Sequence, residues 1–102
     1  MSMKKINKEN YEMEVLKKDR VLIDFNAEWC GPCRMLGPIL EEVAKELEKT
    51  EVVSINVDEN EDIAREYNVF SIPCLVLLEK GKEVDRKVGL QSKSDLKEWI
   101  GE

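Results

Sequence analysis

The sequence predicts an α/β domain: one mixed β-sheet of four to five strands, flanked by four helices on both faces. Three observations carry this. Residues 20–58 read as strand, helix, strand, a unit that implies a parallel pair with a right-handed crossover. The stretch SIPCLVLLEKGKEVDRKVG (71–89) reads as two strands joined at Lys80-Gly81-Lys82, a hairpin that adds an antiparallel edge. Apolar residues recur at three- and four-residue steps in the segments around these strands, so helices cover the sheet. No internal repeat, low-complexity tract or Pro/Gly/Ser linker breaks the chain, and residues 1–102 read as a single domain.

The elements follow in order. Lys4-Lys5-Ile6 is a short strand. NKENYEMEVLKK (7–18) reads as a helix that Asn7 can cap, with Tyr11, Val15 and Leu16 on one face. RVLIDFNA (20–27) is a short apolar run with β-branched residues, hence a buried strand. A long helix spans about Pro32 to Lys49, where Leu36, Ile39, Leu40, Val43, Ala44 and Leu47 recur at helical spacing; Pro38 lies inside it and is expected to kink it. EVVSINVD (51–58) is a second strand, and NEDIAREYN (60–68) a short helix capped by Asn60. SKSDLKEWI (92–100) closes the chain as a helix capped by Ser92 or Ser94, with Leu96 and Trp99 in the core.

Composition narrows the function. Hydrophobic residues are 42% and charged residues 37% of the 102, the balance of a globular chain able to bury a core. The net charge of -6 argues against non-specific nucleic-acid binding, which needs basic surface to release counterions. No apolar run approaches the roughly 20 residues of a membrane span. The start MSMKKINKENYEME is basic and polar with no hydrophobic core after it, so it is not read as a secretory signal, and the simplest location is the cytoplasm. Three cysteines, one tight pair and one apart, are not the even framework of a disulfide-stapled secreted domain; they point to redox chemistry or metal binding.

The pair stands in EWCGPCR (28–34), where a buried strand ends and a helix begins. Cys30 then lies near a helix N-terminus, where unpaired N–H groups and the macrodipole favour an anion and lower a thiol pKa. Cys33, one turn in, is expected to be more shielded. This implies a division of labour: Cys30 attacks a substrate disulfide, and Cys33 then attacks Cys30 and releases the reduced substrate. Pro32 suits a helix start and offers the thiolate no hydrogen bond, as a histidine between the cysteines would. Gly31-Pro32 therefore predicts a reducing couple. Two other readings stand beside this one. A closed zinc or iron–sulfur site normally takes four ligands, and three cysteines with no histidine would need a carboxylate or a second chain. A structural disulfide closing so tight a loop stabilises little. No nucleotide-binding glycine loop is present, and no cofactor or metal is expected. Asp24 stands inside VLIDF, where the pattern demands an apolar residue; a buried carboxylate is costly and tends to protonate, which marks it as a functional candidate against the plainer reading of a solvated strand-end aspartate.

VLIDFNAEWCGPCRMLGPIL, NVFSIPCLVLLEKGK and KVGLQSKSDLKEWI resemble the thioredoxin family, and the likeness runs from about residue 20 to the end. Trp29-Cys30-Gly31-Pro32-Cys33 followed by Ile72-Pro73 is the specific part. The resemblance implies the thioredoxin fold and a protein dithiol–disulfide oxidoreductase whose redox-active disulfide joins Cys30 and Cys33. It implies that Asp24 lies behind the pair and helps deprotonate Cys33. It implies a cis bond before Pro73, with Ile72 and Pro73 offering backbone groups to an extended substrate segment; the plainer reading is that Pro73 starts a strand. Trp29 becomes both core and wall of the site, Gly31 and Pro32 permit close approach, and Val88 with Gly89 completes the docking groove. The implied partners are disulfide-containing target proteins and a thioredoxin reductase, flavin-dependent, acting on a monomer. An alternative from another class is an interaction module that uses the groove without turnover; the intact cysteines and Pro73 favour the enzyme.

Three positions depart from the family pattern. Asn26 replaces an aromatic and makes that flank more polar. Ser54 stands where many members carry a lysine, so the proton affinity of Asp24 is expected to be higher unless another group compensates. Cys74 follows Pro73 where threonine is common; it reads as a buried strand cysteine acting as a small hydrophobe, or as a third thiol close enough to exchange with the pair.

Overall fold

A computed structural model describes residues 3–102; residues 1–2, the start of the polar N-terminal stretch and of the 1–102 span, lie outside the described residues. Along the chain come β1 (Lys4–Lys5), a π-helix (Glu12–Leu16), β2 (Arg20–Asn26), α1 (Gly31–Glu46), β3 (Glu51–Asn56), α2 (Glu61–Glu66), β4 (Cys74–Glu79), β5 (Lys82–Val88) and α3 (Lys93–Ile100). The strands form one sheet in the order β1-β3-β2-β4-β5. β1 and β2 both run parallel to β3, whereas β4 is antiparallel to β2 and β5 to β4. The expected mixed sheet with four helices is found.

Strand alternation builds two cores. Val21, Ile23 and Phe25 of β2 join Val53, Ile55, Val76 and Leu78 under Val15 of the π-helix and Ile63 of α2. On the other face Leu22, Val52, Leu75 and Leu77 meet Leu36, Leu40 and Val43 of α1 and Leu96 and Ile100 of α3. Each such buried aliphatic side chain contributes roughly 1.5–3 kcal/mol as an upper estimate. The same alternation sets the site: Asp24 shares its side of β2 with Leu22, so it faces α1, in register with Ser54 on β3 and Leu75 on β4.

Several boundaries differ from the sequence reading. The helix expected over 7–18 contracts to a five-residue π-helix, closed by Lys17 N donating to Glu12 O at 3.0 Å. Asn7 and Asn10 cross-bond, each side-chain oxygen accepting from the other's backbone N (2.8 and 3.0 Å), and Val15 is the buried residue of the π-helix, so little packing extends it. α1 ends at Glu46; the amides of Glu48 and Lys49 donate to the Glu102 carboxylate instead of continuing the helix. Pro38 lies inside α1 without ending it. β3 stops at Asn56, whose side-chain oxygen accepts from Asp58 N and Glu59 N. Asn60 does not cap α2 with its side chain; Nδ2 donates to Asn56 O (3.0 Å) and Ile6 O (3.4 Å) and ties β1 to the loop. Lys80 and Gly81, at φ 51 and φ 80, make the hairpin turn, and a Cβ on Gly81 would sit 3.1 Å from Leu16 O. Of the two candidate caps on α3, Ser92 is used: its Oγ accepts from Asp95 N at 3.1 Å. Leu96 is fully buried, and Trp99 is half-buried with Nε1 donating to Asp85.

Candidate functional site

The C-terminal end of β2 delivers the chain to α1 through a tight turn, with Cys30 N donating to Ala27 O at 3.2 Å. Cys30 is the N-cap of α1. Its backbone is extended (φ -88, ψ 111) and its Sγ accepts from Cys33 N at 3.2 Å, in the role a serine or aspartate oxygen usually plays. Gly31 and Pro32 form the first turn; a side chain on Gly31 would project into open space, so a partner's backbone can approach there. Cys30 and Cys33 are joined as a disulfide with Cα atoms 5.2 Å apart. Cys33 is not the more shielded of the two: the residues are 4% and 5% exposed, because the bond draws both sulfurs onto Ala27, Val57 and Ile72. Among the described residues, no three Cys, Asp or Glu side chains gather as a metal site requires.

Asp24 is 2% exposed, and its Oδ1 has no hydrogen-bond partner. Burial pushes its pKa up to about 6, opposed by the hydrogen bond from Asn26. Asn26 Nδ2 lies 3.3 Å from Asp24 Oδ2, 3.0 Å from Asp24 O and 2.8 Å from Ser54 Oγ. Asp24, Asn26, Ser54 and Cys33 line one recess of about 230 Å³, with Glu28 and Arg34 at its margin. The carboxyl and the second cysteine therefore share an opening.

The other rim comes from the far side of the sheet. The Ile72–Pro73 peptide is cis, and Ile72 packs against the cysteine pair. Gly89, at φ 96, donates its N–H to Pro73 O at 2.9 Å, and Val88, half-exposed, pairs with Cys74. Ile72, Pro73, Val88 and Gly89 thus form one continuous edge beside Cys30.

Trp29 corrects the sequence reading. It is 68% exposed and no part of the core; its indole N–H is satisfied at the surface by Asp58 Oδ2 at 2.8 Å. Two neighbours are not singled out by the sequence reading. Asp58 carries no signal there. Phe70 is 91% exposed, two residues before Ile72; a lone aromatic in a stretch without helical or strand period is the available clue. Cys74 is buried in the first core against Phe25 and unbridged, its thiol pushed up by burial, with Arg86 Nη1 3.9 Å from its Sγ.

Known proteins share this architecture. The thioredoxin family profile matches residues 2–102. A thioredoxin of Rickettsia bellii (strain RML369-C) is 50% identical over 97 residues, covering 93% of this chain and 92% of the relative. A thioredoxin of Chlamydia pneumoniae is 49% identical over 98 residues, covering 96% of this chain and 95% of the relative. Among solved structures, a mutant thioredoxin from Halobacterium salinarum NRC-1 superposes with a TM-score of 0.88 at 38% identity, covering 97% of this chain and 88% of that one.

Proposed function

Since the chain belongs to the thioredoxin family and is a protein dithiol–disulfide oxidoreductase, we propose that Cys30 is its attacking thiol and Cys33 its resolving thiol. The observation that carries this is the place of Cys30 at the N-cap of α1. There the sulfur meets the N–H of Cys33 and the positive end of the helix, which favour a thiolate in the reduced protein.

The Cys30 thiolate attacks one sulfur of a target disulfide. The target S–S bond breaks, one target sulfur leaves and takes a proton, and the other is bonded to Cys30. Cys33 gives its proton to Asp24 and attacks Cys30 Sγ. The bond to the target breaks, the second target sulfur departs as a thiolate and takes a proton from water while Asp24 returns its own to solvent, and the Cys30–Cys33 disulfide remains; two electrons have passed to the target. A carboxyl pushed up to about 6 is ionised at neutral pH yet is a stronger base than an ordinary carboxylate, and Asp24 opens onto the same recess as Cys33. Trp29, Gly31, Pro32, Ile72, Pro73, Val88 and Gly89 form the face on which a target segment docks in extended form, supported by their arrangement around Cys30 and joined by the exposed ring of Phe70.

Disulfide-containing proteins are the targets, and a reductase returns the electrons. In the finer reading that reductase is flavin-dependent, and the protein works as a single-domain monomer in the cytoplasm, giving electrons to disulfides; the Gly31-Pro32 pair supports the reducing direction. Among the described residues no helix is long and apolar enough to cross a membrane. Reduction of insulin disulfides with a dithiol reductant tests the proposal. The wild type is expected to turn over and Cys30→Ser to be inactive; activity that survives Cys30→Ser overturns it.

A further inference from the structure

We propose that the side-chain amide of Asn26, anchored on Ser54, is a positioning residue that holds the Asp24 carboxylate and sets the pH window in which it takes the Cys33 proton. The inference rests on the proposed function, in which Asp24 is the base for Cys33.

Strand alternation puts Leu22, Asp24 and Asn26 on the α1 side of β2. On β3 it puts Val52, Ser54 and Asn56 on the same side, with Asp24 opposite Ser54 and Asn26 opposite Asn56. The sheet is therefore apolar beneath the body of α1 and polar beneath its first turn. The Asn26 Nδ2 atom has two hydrogens and three acceptors within reach: Asp24 O at 3.0 Å, Asp24 Oδ2 at 3.3 Å and Ser54 Oγ at 2.8 Å. The short bond to Ser54 fixes the amide. The longer one to Oδ2 is the contact that tightens when the carboxyl ionises, because a charged acceptor draws the shared hydrogen.

Other groups face Asp24 without providing that bond. α1 presents Cys33 and Arg34 at the recess, the preceding turn presents Glu28, and the segment before β1 presents Met3. β3 contributes Ser54 and β4 contributes apolar Leu75; the buried Cys74 thiol lies on the opposite side of the sheet, its pKa lies above its ordinary value, and it stays neutral in this pH range. Among the described residues, Asn26 Nδ2 is the one hydrogen-bond donor on the Asp24 carboxyl. Removing it withdraws support from the charged form and leaves burial unopposed, so the base takes its proton at higher pH.

The test uses the full chain. In the oxidised protein, the Asp24 carboxyl carbon is titrated by NMR; in the reduced protein, the rate of release from a mixed disulfide is followed against pH. Asn26→Leu is expected to move both midpoints upward by roughly one pH unit. Ser54→Ala, which frees the amide, is expected to move them the same way by less. An Asp24 midpoint unmoved in Asn26→Leu, while the pH-dependent step of release is lost in Asp24→Asn, overturns the role of Asn26 alone. Persistence of that step in Asp24→Asn overturns the base assignment, and this inference with it. Should Asn26→Leu fail to fold, Ser54→Ala decides by the same titration: an upward move of the midpoint supports the proposal and an unmoved midpoint overturns it.

Discussion

Replacing Asp24 with asparagine keeps the shape of the side chain and removes its charge. In the folded protein the carboxyl titrates at about 6, against an ordinary 3.8, because burial penalises the charged form. A folded pKa raised above the unfolded one means that the contribution of Asp24 to stability is fully present below about pH 4 and is lost as pH rises through 6. The folded carboxyl titrates about two pH units above its unfolded value, and each such unit is worth about 1.4 kcal/mol, so the ionised carboxylate costs about 3 kcal/mol above pH 7. Asp24→Asn is therefore expected to be more stable than the wild type by about 3 kcal/mol at pH 8. At about 4–8 °C per kcal/mol for a chain of this size, Tm rises by about 12–24 °C. The gain shrinks through pH 6 and vanishes near pH 4. The assay is thermal or denaturant unfolding of the oxidised protein across pH 4–8, where Cys30 and Cys33 do not titrate and Cys74 titrates well above the window. Equal stability at pH 8, or a gain independent of pH, refutes the assignment of a buried, strained charge to Asp24.

Three other perturbations probe different parts of the structure. Pro32→His places a hydrogen-bond donor between the cysteines and is expected to make the couple more oxidising, read as a less negative reduction potential against glutathione; an unchanged or more negative value contradicts the role given to Gly31-Pro32. Leu40→Ala empties a fully buried position between α1 and the sheet and is expected to lose about 2–5 kcal/mol in denaturant unfolding, with little effect on the Cys30 potential. Phe70→Ala, at the most exposed aromatic beside Ile72, is expected to change stability by less than about 0.5 kcal/mol yet to raise KM for protein disulfides while leaving reduction of a small-molecule disulfide unaltered; equal effects on both substrates rule out a docking role.

Much of this is legible because it is local. The apolar spacing of Leu36, Leu40 and Val43 forms α1, and the run VLIDF forms β2, whatever the rest does. Pro32 after Cys30 marks the helix start, so the place of the cysteine at the N-cap follows from four adjacent residues. Asp24 stands out as a charge in an apolar strand. What is not legible depends on contacts far apart in the chain. Asn26 and Ser54 are 28 positions apart, and neither residue type announces a bond to the other; only the register of β2 on β3 brings them together. Of the two roles expected for Trp29, core and wall of the site, the core one fails because Asp58 supplies a surface partner for its N–H. The segment expected as a helix over residues 7–18 does open on Asn7, whose Oδ1 accepts from Asn10 N and whose O accepts from Tyr11 N, but it ends as a π-helix at Leu16, and Asn60 is no cap because its amide is drawn to the carbonyls of Ile6 and Asn56.

The division of labour within the pair is tested most directly by trapping. Cys33→Ser, reduced and mixed with a disulfide-containing target, is expected to accumulate a stable mixed disulfide that peptide mapping places on Cys30, while Cys30→Ser forms none at a comparable rate. An adduct on Cys33 in the Cys30→Ser variant, formed as fast as that on Cys30, contradicts the assignment of attack to Cys30.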